Sequence, residues 1–151
     1  MSLTIRPYQA GDRRDVLGLW VECGLVIEAN NPERDIERKL GVRPEWFLVG
    51  LVGGAVVATC MVGYEGHRGW VNYLAVSPRH RRQGLGSLMM QEAERILSAA
   101  ACPKINLQVR TSNGDVLAFY QRIGYIRDDV VSLGKRLEQD QPFDPGDCAG
   151  G

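Results

Sequence analysis

Apolar residues recur with two different spacings along the chain, and the change between them separates predicted strands from predicted helices. Short apolar, β-branched runs bounded by glycine or proline predict six strands, at residues 2–7, 47–51, 55–62, 70–76, 104–109 and 130–137. Stretches with apolar residues three and four apart predict helices at residues 12–21, 32–40 and 85–101, and a fourth helix ends at Gly124. The predicted order is β-α-α-β-β-β-α-β-α-β.

Turn and cap signals support these elements. The adjacent Gly53 and Gly54 between two strands predict a hairpin. Asn31 followed by Pro32 predicts an N-cap and the first residue of a helix. Ser112 begins a predicted capping box at the start of the fourth helix. The pattern predicts a single α/β domain, in which a mixed six- or seven-stranded sheet is flanked by about four helices.

The composition agrees with one ordinary globular domain. The chain has 151 residues, of which 44% are apolar and 24% are charged. We assign the domain to residues 1–138 and expect the polar residues 139–151 to be disordered and outside it. No apolar run of about 18 residues predicts a membrane span, and the first residues lack a secretory h-region. A cytoplasmic protein with no membrane partner is expected.

Charge and cysteine placement narrow the candidate chemistry. The four cysteines lie far apart with no C-x-x-C pair, which predicts reduced thiols and no metal site. The formal net charge is 0, but four acids lie after residue 137, so residues 1–137 hold 14 acids and 18 bases. Part of this excess is a cluster at residues 79–82, which read Arg-His-Arg-Arg. Such a cluster indicates nucleic acid, a membrane surface or a multiply charged small ligand.

The basic cluster belongs to a loop that joins a predicted strand to a predicted helix. Backbone N–H groups at a helix start have no intrahelical partner, and the helix dipole adds partial positive charge there. Gly84 and Gly86 lack Cβ atoms, so the backbone can approach a phosphate closely. A Walker loop is excluded because no lysine follows either glycine, and a Rossmann fingerprint is excluded because Met89 stands where the third glycine belongs.

Two motifs carry a resemblance to a known family. Residues 81–86 read R-x-x-G-x-G after an L-A-V-x-P strand end, and the segment from Asn113 to Tyr125 reads N-x6-Y-x3-G-Y. Both resemble the signature segments of the GNAT superfamily of acetyl-CoA-dependent N-acetyltransferases. A narrower resemblance, to the bacterial YpeA-type acetyltransferases, covers about residues 3–140. It is carried by residues 31–32, 35–39, 63–69, 102–105 and 132–137.

The resemblance implies how acetyl-CoA would be held. Two adjacent parallel strands, residues 70–76 and 104–109, would splay apart around the pantetheine arm, and a backbone N–H near Val76 would polarise the thioester carbonyl. The implied cofactor-binding residues are Leu74, Ala75, Val76, Arg81, Arg82, Gln83, Gly84, Leu85, Gly86, Ser87 and Asn113. Tyr120 is the implied catalytic proton donor to the CoA thiolate. The alternatives are that Tyr120 only packs beside Phe119 and that Asn113 only forms a turn.

The sequence does not identify a single residue as the general base. Gln108 stands where the related enzymes that acetylate ribosomal-protein N-termini carry a glutamate, and glutamine cannot take a proton. Either an ordered water relays the proton between the amine and a more distant acid, or the base comes from elsewhere in the chain. The candidates are acids or a histidine of the loops and of the second predicted helix: Glu28, Asp35, Glu37, Glu65 and His67. Arg38 and Lys39 either attract a carboxylate-bearing acceptor or pair with acids one turn away.

Three functions compete at this point. The first is an N-acetyltransferase acting on a small-molecule amine or a peptide N-terminus. The second is a non-catalytic acyl-CoA-binding module, suggested by Gln108. The third, a nucleic-acid patch, is disfavoured because the basic run has only four residues and no binding motif accompanies it. No nucleic-acid partner is expected, a homodimer is possible, and the acceptor is open.

Overall fold

The computed structural model describes residues 2–146. Within them the strands are β1 Thr4–Pro7, β2 Phe47–Val52, β3 Ala55–Tyr64, β4 Gly69–Val76 and β5 Ile105–Asn106. The helices are α1 Arg13–Glu22, α2 Pro32–Leu40, α3 Leu85–Ala99 and α4 Gly114–Arg122. Short 3-10 turns lie at Ala10–Asp12, Pro44–Trp46 and Pro78–His80. Cys148 lies outside the described residues.

The five strands of the described chain form one mixed sheet in the order β1-β2-β3-β4-β5. The first three pairings are antiparallel and the β4–β5 pairing is parallel. The predicted hairpin between β2 and β3 is confirmed, and Gly53 and Gly54 both have positive φ, 58° and 83°. Positive φ at both turn positions matches the right-handed twist of the flanking strands, which explains the glycine pair.

Each face of the sheet carries a large hydrophobic cluster, and a smaller third cluster contains Val52, Val57 and Leu85. On one face α3 and α4 contribute Met89, Leu97 and Tyr120 to a cluster with the strands. On the other face Trp20 of α1 and Ile36 of α2 pack with residues of β2 and β3. The helices cover the sheet because each presents one apolar stripe that water would otherwise contact.

The N-cap predicted for α2 is confirmed. The Asn31 side-chain oxygen accepts hydrogen bonds from the backbone N–H groups of Glu33 (2.9 Å) and Arg34 (3.3 Å). At α4 the predicted cap was one residue too early. Asn113, not Ser112, caps this helix by accepting from the Val116 backbone N–H at 3.3 Å. Asparagine is as good an N-cap residue as serine, so the local sequence did not distinguish the two.

The predicted six- or seven-stranded sheet is wrong within the described chain. Residues 130–137 form no strand, and Val131, Leu133 and Leu137 are 83–94% exposed. β5 comprises two residues instead of the predicted 104–109. A strand at this edge would need a neighbouring ladder, and two paired residues offer too short a template. Side chains contact residues 130–137 instead: the Gln108 amide donates to the Ser132 hydroxyl.

The domain boundary at residue 138 stays a prediction, but residues after it contact the domain. The Asp140 side chain is buried against α2, and Phe143 packs on the α1–α2 cluster. The composition of this polar segment offered no indication of either contact. None of the helices in residues 2–146 has the length and apolarity needed to cross a membrane.

Candidate active site

A β-bulge interrupts β4. The register shifts between the pairs Thr59–Ala75 and Met61–Asn72, so β4 contributes one residue more than β3. Tyr73 lies in this interval with φ of 52°, a left-handed conformation that is unusual for a bulky residue. Bulges often occur beside functional sites because they redirect side chains and end pairing locally.

The bulge changes which face of the sheet each β4 residue meets. Leu74 and Val76 pack with the cluster under α3 and α4. Tyr73 and Ala75 pack with the cluster under α1 and α2. Tyr73 is therefore brought to the side of the sheet where α2 and the segment before it lie.

Thr59 holds the bulge in place. Its hydroxyl donates to the Tyr73 carbonyl at 2.8 Å and accepts from the Trp20 indole Nε1–H at 2.9 Å. The Trp20 and Tyr73 rings stack with centroids 3.9 Å apart. Since Thr59 is fully buried, no water replaces these hydrogen bonds. One hydroxyl thus links α1, β3 and the strained residue of β4.

Thr59→Val is expected to destabilise the domain by about 2–4 kcal/mol, because it leaves the Trp20 N–H and the Tyr73 carbonyl without partners in the interior. Urea unfolding of the variant and the wild type measures this difference. Thr59→Ser, which keeps the hydroxyl, is the control and should cost only about 1 kcal/mol for the lost methyl. Equal losses in both variants would mean that packing, and not the hydrogen bonds, matters at this position.

β4 and the chain after β5 pair over a short length only, and we call the unpaired stretch beside the rest of β4 the gap. Their ladder has two pairs, Gly69–Ile105 and Trp70–Asn106, although β4 continues to Val76. The Ser77 N–H donates to Val57 of β3 at 2.8 Å. Because successive N–H groups of a strand point to opposite sides, the Val76 N–H is directed into the gap. Leu74, two residues earlier, has the same orientation.

The N-terminus of α3 lies at the end of β4 and presents backbone donors. Its N-cap is Gly84, with φ of 76°, and no side chain caps the first turn. Arg82 is also left-handed, with φ of 63°. Alternating left-handed residues before a helix start direct successive N–H groups toward one point, which suits an anion. Arg81, Arg82 and Gln83 are exposed around this turn, so their side chains are available to a charged ligand.

The remaining residues of this loop have divided roles. Leu85 is buried, so only its backbone is available, and Ser87 is half-buried. A Cβ on Gly86 would lie 3.2 Å from the Phe119 ring, so this glycine permits α3 to pack against α4. The sequence suggested that a phosphate could approach the backbone closely at both glycines. Only Gly84 has this open space, because a Cβ there would meet no atom within 4 Å. His80 Nδ1 is buried without a hydrogen-bond partner in residues 2–146.

Tyr120 lies in α4, and Asn113 is the N-cap of this helix, which follows β5 in the chain. Tyr120 is 7% exposed and contacts the rings of Phe119 and Tyr125 edge-on, with centroids 5.1 and 5.7 Å away. Burial raises the pKa of the Tyr120 hydroxyl, so the phenol is protonated at neutral pH. The Asn113 Oδ1 caps α4, which leaves the Nδ2 group of this side chain as a possible donor.

Most of the candidate bases lie away from the bulge or have a structural role. The Gln108 amide donates to the Ser132 hydroxyl. Glu65 accepts from the Arg68 backbone N–H in the β3–β4 turn, and this turn ends five residues before Tyr73, which is about 17 Å along a strand. Glu37 pairs with Arg34 at 2.6 Å on the exposed face of α2.

Asp35 is the acid that contacts the bulge. Its Oδ2 accepts from the Tyr73 hydroxyl at 2.7 Å and from Asn30 Nδ2 at 3.1 Å. Asn30 Nδ2 also donates to the Tyr73 hydroxyl oxygen at 2.6 Å. Burial, together with the Asp35 contact, raises the pKa of Tyr73 above its ordinary value. The Asn30 Oδ1 atom is buried and has no hydrogen-bond partner within residues 2–146.

One turn further along α2, Arg38 connects this cluster to the C-terminal segment. Its guanidinium donates to Asp35 at 3.0 Å and to both oxygens of Asp140, at 2.6 and 3.1 Å. The Asn31 backbone N–H donates to Asp140 at 3.0 Å. These donors, Arg38 first, hold the pKa of the Asp140 carboxyl below its usual range. We call Asn30, Asp35, Arg38 and Tyr73 the α2 polar cluster.

The described residues offer no metal site and no activated thiol at this position. Within residues 2–146, no three His, Cys, Asp or Glu side chains are grouped to hold a metal ion. Burial raises the pKa of the Cys60 thiol to about 12, so it stays protonated at neutral pH. The polar groups described around β4 are therefore backbone donors of β4 and α3, the Tyr120 hydroxyl and the α2 polar cluster.

Comparison with known proteins identifies relatives along nearly the whole chain. The model of the acetyltransferase (GNAT) family matches residues 14–125. Acetyltransferase YE1169 of Yersinia enterocolitica is 43% identical over 141 residues, which cover 93% of this chain and all of the relative. Acetyltransferase SG1711 of Sodalis glossinidius is 44% identical over 142 residues, with the same shares covered.

Solved structures share the fold at lower identity. Ard1 from Thermoplasma volcanium has a TM-score of 0.71 at 24% identity and covers 83% of this chain and 84% of its own. AAC(6')-Iy, solved with the bisubstrate analogue CoA-S-monomethyl-acetylneamine, has a TM-score of 0.72 at 14% identity over 90% of this chain and 99% of its own. A glucosamine-6-phosphate N-acetyltransferase from Arabidopsis thaliana has a TM-score of 0.64 at 19% identity over 91% and 100%.

At these identities the solved structures establish the fold alone, whereas the family model and the two bacterial relatives establish the family. The identification made from two short motifs is confirmed. The chain belongs to the GNAT family, the acetyl-CoA-dependent N-acetyltransferases.

Proposed function

We propose that this protein transfers an acetyl group from acetyl-CoA to a primary amine, through a tetrahedral intermediate and without a covalent acyl-enzyme. The observation that carries the proposal is the uncapped N-terminus of α3 at the end of the gap beside β4. The helix N-terminus offers an anion site, and the unpaired edge of β4 next to it offers backbone groups along an extended line. Acetyl-CoA needs both, because its pyrophosphate is attached to an extended pantetheine arm. The solved neighbours named for amine acetylation support an amine acceptor.

In this proposal the backbone does most of the cofactor binding. The amides of Leu85, Gly86 and Ser87 would hold the pyrophosphate, with Arg81 and Arg82 adding charge at the rim. The arm would lie along the Leu74–Val76 backbone, and Asn113 Nδ2 would donate to it across the gap. Bound acetyl-CoA supplies the activated acyl thioester. The Val76 N–H would stabilise the oxyanion that develops when the amine attacks.

The reaction balances with one base and one acid. The amine loses a proton and its nitrogen bonds the acyl carbon, the carbon–sulfur bond breaks, and the CoA thiolate takes a proton. We assign the proton donation to Tyr120, whose buried hydroxyl is protonated at neutral pH. We assign acceptance of the amine proton to Asp35, because this acid contacts the bulge residue Tyr73 at 2.7 Å.

Asp35→Asn is expected to lower kcat/KM about a hundredfold, because asparagine keeps the shape of the side chain but cannot take a proton. Steady-state rates and acetyl-CoA affinity are measured side by side, and the affinity should not change. Glu37→Gln is the matched control, since Glu37 is on the same helix and pairs only with Arg34 among the described residues. Equal rates for Asp35→Asn and the wild type would remove Asp35 from the mechanism.

The experiment that tests the proposed function is an acceptor screen. Purified protein and acetyl-CoA are incubated with small amines and with peptides that have unblocked N-termini, and CoA thiol release is measured together with the product mass. Acetylated product from one class assigns the acceptor type and separates small amines from peptide N-termini. Tight acetyl-CoA binding with no transfer across the whole screen would favour the acyl-CoA-binding module that Gln108 suggests.

A further inference from the structure

Two polar groups near the bulge have features that are not needed for acetyl transfer to a simple amine. The Asn30 Oδ1 is a buried acceptor without a donor in the described part of the chain. The Arg38 guanidinium binds the carboxylate of Asp140, which is 102 positions away in the sequence. Buried polar atoms in native proteins nearly always have partners, so an orphan acceptor indicates a missing donor.

We propose that the α2 polar cluster binds an acceptor that carries a carboxylate as well as its amine, an amino acid or a close analogue, and that Asp140 fills the carboxylate position in the free protein. The inference rests on the proposed function, because it specifies the acceptor of the same site. It assigns the Arg38 guanidinium and the Asn31 N–H to the carboxylate, and Asn30 Oδ1 with Asp35 to the amine.

Arg38 and the Asn31 N–H surround the Asp140 carboxylate with the geometry of a carboxylate-binding site. Two guanidinium nitrogens of Arg38 reach the two oxygens of Asp140, at 2.6 and 3.1 Å, and the Asn31 N–H adds a third donor at 3.0 Å. A planar guanidinium that binds both oxygens is the strongest and most specific arrangement for a carboxylate. The Asp140 side chain is 1% exposed, although Gln139 and Gln141 on either side of it are exposed.

The part of the subsite assigned to the amine consists of hydrogen-bond acceptors, Asn30 Oδ1 and the Asp35 carboxylate. Asn30 Nδ2 donates to Asp35 and to the Tyr73 hydroxyl, which fixes the amide orientation and turns Oδ1 away from both. An ammonium group has three donors and no acceptor, so it complements Oδ1 and the Asp35 carboxylate. Because Asp35 contacts Tyr73 of the bulge and Arg38 on α2, it joins the two ends of the subsite.

The C-terminal segment is placed to compete with such an acceptor. Asn31 Nδ2 donates to the Gln141 carbonyl at 2.8 Å, and Phe143 packs on the cluster that includes Tyr73. An attached carboxylate acts at an effective concentration in the millimolar range or above. Removing the Asp140 carboxylate should therefore expose the subsite to free ligands that carry a carboxylate.

The test uses full-length variants and a matched set of small probes. β-Alanine carries both groups, β-alaninamide lacks the carboxylate and propionate lacks the amine. Binding is followed by NMR at the Asn31 backbone amide and the Arg38 Nε–H. Asp140→Ala exposes the subsite, and Asp140→Asn is a second variant of the same size as the native residue. Asp144→Ala is the control, because Asp144 is exposed in the same segment and, among the residues that the structure describes, bonds only to Gly146.

We expect β-alanine to bind Asp140→Ala at least about tenfold more tightly than Asp144→Ala, with propionate weaker and β-alaninamide weakest. Adding Arg38→Gln to Asp140→Ala should abolish the response. Equal affinities for β-alanine and its amide, or no saturable shift at Asn31 in either Asp140 variant, would overturn the proposal. Calorimetry with acetyl-CoA on the same samples keeps the two questions apart, since loss of that binding would count against the proposed function and not against the carboxylate subsite.

Discussion

Gly84→Glu is expected to weaken acetyl-CoA binding about a thousandfold while the domain stays folded. Two like charges about 4 Å apart repel by about 4 kcal/mol at an effective dielectric constant of 20, which corresponds to that factor. The new carboxylate would lie at the N-cap of α3, where the proposed pyrophosphate binds. A Cβ at this position meets no atom within 4 Å, so the side chain fits without repacking. Isothermal titration calorimetry measures the change.

Gly84→Gln is the matched control for size and backbone. Both substitutions force a side chain onto a residue with φ of 76°, and both therefore carry the same strain, about 1 kcal/mol. Only the glutamate adds charge. We expect the glutamine variant to bind acetyl-CoA within about tenfold of the wild type. If the two variants lost affinity equally, the loop would act through its shape and the α3 N-terminus would not be the anion site.

Tyr120→Phe is expected to lower kcat by about 10²–10⁴-fold with little change in acetyl-CoA affinity, because it removes the proposed proton donor and leaves the ring packing intact. The Tyr120 hydroxyl makes no hydrogen bond to another described residue, so the variant should fold as stably as the wild type. Stopped-flow measurement of CoA thiol release under single-turnover conditions isolates the chemical step from product dissociation.

The pH dependence of kcat provides a second readout for Tyr120. Burial raises the pKa of this hydroxyl above its reference value of about 10, and a raised pKa extends the donor form to higher pH. The wild-type rate should therefore show no decline below about pH 10 that depends on Tyr120. A high-pH decline near pH 8 that disappears in Tyr120→Phe would contradict the assigned role, as would equal single-turnover rates in the two proteins.

The sequence predicted the elements whose signals are local. The α2 N-cap at Asn31, the β2–β3 hairpin at Gly53 and Gly54 and the stripe of α3 all depend on residues within one or two turns of each other. The strand predicted at residues 130–137 begins with two valines, but a strand exists only if a neighbour pairs with it. β5 supplies two paired residues, and nothing in residues 130–137 reveals that shortage.

The candidate site also has a part that local sequence predicts and a part that depends on distant contacts. The loop at residues 81–87 was predicted because a strand, a glycine loop and a helix follow each other directly in the chain. Tyr73, Asn30 and Asp140 were not proposed for the site, because their association depends on a bulge and on contacts across 38 to 109 positions. A left-handed tyrosine has no sequence signature. Asp35 and Arg38 were named only as alternatives among other charged residues of α2.

Hydrogen–deuterium exchange of the full-length protein, with and without saturating acetyl-CoA, tests whether the loop before α3 binds the cofactor. We expect acetyl-CoA to protect peptides that cover residues 74–76, 84–87 and 107–113, which include the proposed cofactor-binding backbone and the α3 N-terminus. We expect no change in the β3–β4 turn at residues 65–68, which serves as the internal control. Saturation with acetyl-CoA that leaves residues 84–87 unprotected would contradict the account.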